Sequence, residues 1–85
     1  MAADITVRFY PLLRRKAGAE EFACHADTVR QALSRVHHEF GDDFMQSVRR
    51  CQVFVNGDNV IHLRGHNTRL KPGDTIHIFP PAAGG

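Results

Sequence analysis

Apolar residues recur along this chain with two different periods, and the order in which the period changes restricts the folds open to it. From Asp4 to Tyr10 they alternate, with Ile5, Val7 and Phe9 on one side and Thr6, Arg8 and Tyr10 on the other, the pattern of a strand with one buried face. Glu20 to His25 repeats the alternation, Phe22 and Cys24 lying opposite Glu21, Ala23 and His25. Pro11 cannot donate to a sheet ladder, so the first strand is expected to stop there. Leu12 to Gly18 then reads as a short basic turn that joins the two strands as a hairpin. Beyond it the period changes: Val29, Ala32, Leu33, Val36 and Phe40 are spaced by three and four, one apolar stripe on a helix. Thr28 is placed as the N-cap, and Gln31 completes a capping box in which each side chain satisfies the other's free backbone N–H. Gly41 is placed to end the helix.

The remainder returns to short strands. Phe44, Met45 and Val48 suggest a helical turn over the edge of the core within Asp42 to Arg50. Cys51 to Val55 alternates again, Asn56-Gly57 is a strong turn signal, and Val60 to His62 reads as a short strand. Arg64 to Arg69 is a polar loop, and Lys71-Pro72-Gly73-Asp74 carries Pro and Gly where a type II turn requires them. The last strand follows, Thr75 to Phe79, with Ile76 and Ile78 inward. The fold class is therefore α+β: one mixed sheet wrapped around one main helix, with the first and last strands side by side at its centre, the β-grasp arrangement. The domain is expected over residues 1–79, followed by an extended tail over 80–85, Pro-Pro-Ala-Ala-Gly-Gly.

A chain of 85 residues buries only about 60% of the surface its unfolded form exposes, which leaves little room for an enclosed catalytic site. The net charge of +2 falls short of a nucleic-acid-binding surplus. Arg14-Arg15-Lys16 and Arg49-Arg50 read as solvated faces that could also steer docking onto an acidic partner. Cys24 and Cys51 fit neither a disulfide scaffold nor a zinc or CxxC pattern and are expected to be reduced. His62 and His66 have a spacing that aligns ligands on a helix, but they fall in a strand and loop; His37 and His38 point about 100° apart on a helix. No metal site is expected. Ser34 and Ser47 both fall in helix-like segments, and no nucleophile with a base can be assembled. With no signal-peptide pattern and no apolar run of about 18 residues, the expected location is cytoplasmic, with no membrane partner.

Chemistry in the tail has no side chain with a useful pKa and must use the α-carboxylate of Gly85. A carboxylate is a poor acyl electrophile because its leaving group would be oxide; adenylation replaces oxide with AMP. Gly84 and Gly85, lacking Cβ, suit a narrow channel. Pro80 and Pro81 favour the stiff polyproline II form, which lowers the entropy lost on insertion into a partner. A frayed, inert end is the competing reading.

Phe79-Pro80-Pro81-Ala82-Ala83-Gly84-Gly85 resembles the F-P-P-x-x-G-G terminus of MoaD-type proteins, small sulfur carriers of molybdopterin synthesis within the MoaD/ThiS family of ubiquitin-like β-grasp folds. Arg8-Phe9-Tyr10, Leu13-Arg14 with Gly18, Thr28-Val29 with Ala32-Leu33, Val55-Asn56-Gly57 and Leu70 to Asp74 extend the resemblance over nearly the whole chain. The resemblance implies a carrier and not an enzyme, at most the small non-catalytic subunit of a molybdopterin synthase complex. A ubiquitin-activating-type enzyme would adenylate Gly85 with ATP, and a persulfide protein would supply sulfur to form a thiocarboxylate. No cofactor would be bound by the carrier itself. Its sulfur would go to a pterin precursor on a molybdopterin synthase large subunit; relatives serve thiamine, cysteine, tRNA thiolation or tungsten cofactors. A modifier conjugated to lysines through Gly85 is the alternative.

If Ile5, Val7, Phe9, Ile76 and Ile78 face the helix, then Arg8, Tyr10, Phe54, His77 and Phe79 share the opposite face at the root of the tail. Aromatic residues there suggest a partner-binding patch continuing into Pro80 and Pro81. The resemblance agrees, because the position matching Phe79 contacts partners.

Overall fold

In the computed structural model, which describes residues 2–80, ten elements follow one another. They are β1 (Ala3–Phe9), α1 (Pro11–Ala17), β2 (Glu21–Ala26), α2 (Val29–Phe40), α3 (Asp42–Val48), β3 (Gln52–Val55), β4 (Asp58–Asn59), 3₁₀ turns at Val60–His62 and Gly65–Asn67, and β5 (Thr75–Phe79). The sheet order is β2-β1-β5-β3-β4. Its centre is the parallel pair β1 and β5, in register from Thr6 with Thr75 to Phe9 with Ile78. The neighbouring pairs are antiparallel, β1 with β2 and β5 with β3. The mixed sheet with its first and last strands adjacent is the β-grasp arrangement expected from the periodicity.

The alternation in β1 becomes a division of faces. Ile5, Val7 and Phe9 are buried together with Ile76 and Ile78 of β5, Val53 and Val55 of β3, and the α2 stripe Val29, Ala32, Leu33 and Val36. Burying each of the Ile, Val, Leu and Phe side chains among these contributes about 1.5–3 kcal/mol. Phe9 ends the buried row and meets the rings of Phe40 and Phe44 edge-on, each at 5.3 Å between centroids. Phe22 closes the cluster against Phe40 at 5.4 Å.

The start of α2 is capped as the sequence indicates in one half and differently in the other. Thr28 Oγ1 accepts from the Gln31 N–H at 3.2 Å, but Gln31 Oε1 accepts from the N–H of Asp27 at 2.6 Å, one residue before the cap. An isolated antiparallel bridge joins Thr28 to Arg69. The Val29 N–H donates to Thr68 O and the Leu70 N–H to Asp27 O, tying the chain before β5 to the helix start.

Two expected elements take another form, both of them short. Leu12 to Gly18 is not a turn: Pro11 opens α1, and Gly18 ends it with φ 71°, donating its N–H to Arg14 O. Proline at the first helical position and a left-handed glycine after the last are a helix's own end signals, and seven residues are too few for the apolar period to stand out. Val60 to His62 is a 3₁₀ turn and not a strand, its first turn capped by Asn59 Oδ1, which accepts from the Ile61 N–H. The strand that pairs with β3 is only Asp58–Asn59. The weak helical signal after Gly41 is the helix α3. At Lys71–Asp74 the turn has Gly73 at φ 89° and the Asp74 N–H donating to Lys71 O, as a type II turn requires.

Phe9→Ala is expected to destabilise the domain by about 3–5 kcal/mol, most of the total for a small fold, because the ring joins β1, α2 and α3. Urea denaturation measures it, with half-exposed Phe22→Ala as the milder reference. Equal losses for the two would show that the cluster has no centre at Phe9.

Candidate functional site

Parallel pairing brings the C-terminal ends of β1 and β5 to the same edge of the molecule, and this places Tyr10 beside Phe79. The two rings stack with centroids 4.2 Å apart and planes 22° from parallel. Phe54 meets Phe79 edge-on at 5.2 Å from the other side, since Phe54 opposes His77 in the β3–β5 register. His77, two residues before Phe79 on the same face, approaches Tyr10 at 5.8 Å between rings. The Tyr10 hydroxyl and His77 Nδ1 are 2.8 Å apart, in hydrogen-bonding contact. All four rings are half-buried, each shielding another, on the face of the sheet turned away from α2.

Arg8 lies across from His77 in the parallel register but is turned to the other neighbour strand, where its Nη1 is 3.2 Å from Glu21 Oε2. It borders the rings as one half of an exposed ion pair. Burial pushes the His77 pKa down from its ordinary value of 6.5, and the Arg8 guanidinium pushes the same way. The neutral ring can accept the Tyr10 O–H at Nδ1, which fits a patch whose centre carries no charge.

Pro80 continues the chain to the other side of the same edge. It lines a groove of about 160 Å³ with Leu12, Leu13, Lys16, Ser47, Arg50 and Cys51. Lys16 Nζ donates to Ser47 Oγ at 2.8 Å across the groove, and Leu12 is 59% exposed beside it. This wall is hidden from the sequence's apolar periodicity because α1 buries only Leu13; Pro11 at its first position and the left-handed Gly18 after its last are the sequence signals that mark it. Pro81, Gly84 and Gly85 lie outside the described residues.

The remaining candidates fall apart from one another. Cys24 and Cys51 are free and half-buried, and desolvation raises both thiols above their ordinary value, which keeps them protonated and poor nucleophiles. Ser34 and Ser47 lie on α2 and α3. Among the described residues no group of three His, Cys, Asp or Glu side chains is placed to hold a metal. No described helix is long and apolar enough to cross a membrane.

Comparison with known proteins gives a consistent set. The model of the ThiS family matches residues 7–85. A small archaeal modifier protein 3 from Haloferax volcanii is 29% identical over 91 residues, covering 96% of this chain and 99% of its own. The solution structure of small archaeal modifier protein 1 from Methanosarcina acetivorans superposes with a TM-score of 0.87 at 26% identity, covering 100% of this chain and 99% of that one. CysO in the BexX/CysO complex of Amycolatopsis orientalis superposes with a TM-score of 0.81 at 27% identity, covering 95% and 99%.

The sign of the His77 shift makes the patch testable on its own. A lowered pKa means that the folded state binds this proton less readily than the unfolded one, so the group's stabilising contribution is complete above 6.5 and is lost as the pH falls below it. An NMR titration of the imidazole is expected to give a midpoint below 6.5, and Tyr10→Ala, by admitting water, to raise it. A midpoint at or above 6.5 in the intact protein would mean that the ring is solvated.

Proposed function

Because the chain belongs to the ThiS family of small sulfur carriers and ubiquitin-like modifiers, we propose that it carries sulfur on the carboxylate of Gly85. The observation that supports this most is the joining of an F-P-P-A-A-G-G end to a stacked aromatic patch at its root: Phe79 belongs to both. The patch is a docking surface for enzymes that handle the terminus, not a catalytic site.

In this reading a Gly85 carboxylate oxygen attacks the α-phosphorus of ATP on a ubiquitin-activating-type enzyme. Pyrophosphate leaves and an acyl adenylate forms. The terminal sulfur of a protein persulfide then attacks the acyl carbon and AMP leaves with the electron pair of the broken C–O bond. A second thiol cleaves the resulting S–S bond, forming a disulfide and releasing the thiocarboxylate. The domain's own part is to present the acyl group and to be held still: stacking between Tyr10 and Phe79 fixes where the tail begins, and the two prolines lower the entropy of insertion. The carrier binds no cofactor, and ATP is used by its partner.

The recipient we propose is the pterin precursor of the molybdenum cofactor, held by a molybdopterin synthase large subunit, on the strength of the F-P-P-x-x-G-G resemblance. The similarity to small archaeal modifiers favours a second reading, an isopeptide bond to lysines of other proteins made from the same adenylate. The chain's own lysines are two, Lys16 and Lys71, which argues against chain building on itself.

Intact mass of the protein from its native host distinguishes these readings. Exchange of one oxygen for sulfur at Gly85 is the expected result, and adducts on other proteins' lysines would instead establish the modifier. An unmodified terminus in the presence of active partners would exclude both. Phe79→Ala is expected to weaken binding of the activating enzyme by about 2 kcal/mol, on the order of 30-fold, as loss of a central aromatic anchor does. Deletion of Gly85 should abolish loading and leave binding through the patch intact.

A further inference from the structure

On the opposite side of the sheet from the aromatic patch, α2 and α3 diverge after Gly41, whose φ of 90° breaks the helical path between them. The gap over β3 is a cleft of about 420 Å³, within the ordinary range of small-molecule sites, about 300–1,000 Å³. Its charged and polar lining is one-sided. Arg30 and His37 come from α2, Arg49 from the end of α3 and His66 from the second 3₁₀ turn, and none of the ten lining residues is Asp or Glu. In the whole chain, by contrast, 11 Lys and Arg are set against nine Asp and Glu, so the cleft concentrates one sign.

The two guanidiniums are available. Among the described residues neither Arg30 nor Arg49 forms a salt bridge. Arg30 Nη2 reaches Asn67 Oδ1 at 3.4 Å, a long hydrogen bond that holds the side chain over the turn carrying His66. Asp42 stands outside the lining and is engaged with His37 Nε2; its carboxyl is held below the usual range first by that hydrogen bond and His37's charge, and last by Arg49. Between the cations the floor is apolar, made of Leu33, Met45, Val48 and Val53. Thus charge at the rim and apolar surface at the base face the same space.

We propose that this cleft binds a small organic phosphate ester, its dianionic group between Arg30 and Arg49 and its ring or short aliphatic body on the apolar floor. Two planar guanidiniums from separate elements match a dianion with several acceptor oxygens better than a single carboxylate. The site is independent of the docking patch: Val53 faces the cleft, while its neighbour Phe54 faces the opposite side of the sheet and Phe79.

A ¹⁵N-¹H NMR titration of the intact protein with phenyl phosphate at physiological salt tests this. Saturable shifts are expected at Arg30, Leu33, Met45, Arg49 and Val53, with Tyr10 and Phe79 unmoved. Inorganic phosphate, which cannot use the floor, should bind at least about tenfold more weakly, and Arg30→Gln/Arg49→Gln should lose about tenfold or more. Both side chains are exposed, and each single variant should show a partial loss if the double variant folds poorly. The proposal is overturned by no response at the cleft, by equal shifts around Arg14, Arg15 and Lys16, by equal affinity for inorganic phosphate, or by full binding in the folded variants.

Discussion

The parallel pairing of β1 with β5 is the interaction on which the rest of the structure depends. It joins the two ends of the described chain at the centre of the sheet, so every other element is arranged around a closure between residues far apart in sequence. Such closure has an entropic cost that grows with the enclosed length. Here it is offset by one buried row running through both strands: Ile5, Val7 and Phe9 beside Ile76 and Ile78, under the apolar stripe of α2. The turn before β5 fixes the register. The Thr6 N–H donates to Asp74 O and the Gly73 N–H to Asp4 O, while Asn56 Oδ1 accepts from the Thr75 N–H and binds the neighbouring hairpin to the same corner. These hydrogen bonds tie that corner together, and β5 runs from it toward the opposite edge.

From this arrangement the candidate docking site follows. Because the central strands are parallel, their C-terminal ends coincide, and the residues that leave them, Tyr10 and Phe79–Pro80, become neighbours. One side of that edge carries the aromatic patch; the other carries the groove between α1 and α3 that Pro80 lines. A small domain has little interior in which to build a catalytic pocket. It can, however, hold one chain end at a defined place and direction with a stable sheet behind it, which is what a carrier or modifier requires.

How much could be read in advance depended on the length and purity of the local pattern. The α2 stripe covers three turns, and its Thr28 cap and terminal Gly41 stand where the sequence indicates. Strands β1 and β5 alternate without interruption. The failures are short: α1 has only Leu13 buried among its residues, too little to show a period. Val60 to His62 has the composition of a strand, yet only Val60 turns inward and Ile61 is 74% exposed, so tertiary packing and the Asn59 cap decide its form. Arg8 was legible as a resident of the patch face, but not its pairing with Glu21, which depends on how β2 registers against β1.

What the sequence determined by itself was the kind of fold, its inward and outward faces, and the tail that sets the functional reading, because periodicity, caps and a terminal motif are local and need no partner to be recognised. What only the tertiary structure decided was adjacency across the sheet and between helices. That the Tyr10 ring stacks on Phe79 and its hydroxyl meets His77, that Pro80 lines one groove with α1, and that Arg30 and Arg49 share a cleft with no acid in its lining all depend on register and on where helices diverge. Those are distances between residues remote in the chain, and they come into being only when the central pair of strands has closed.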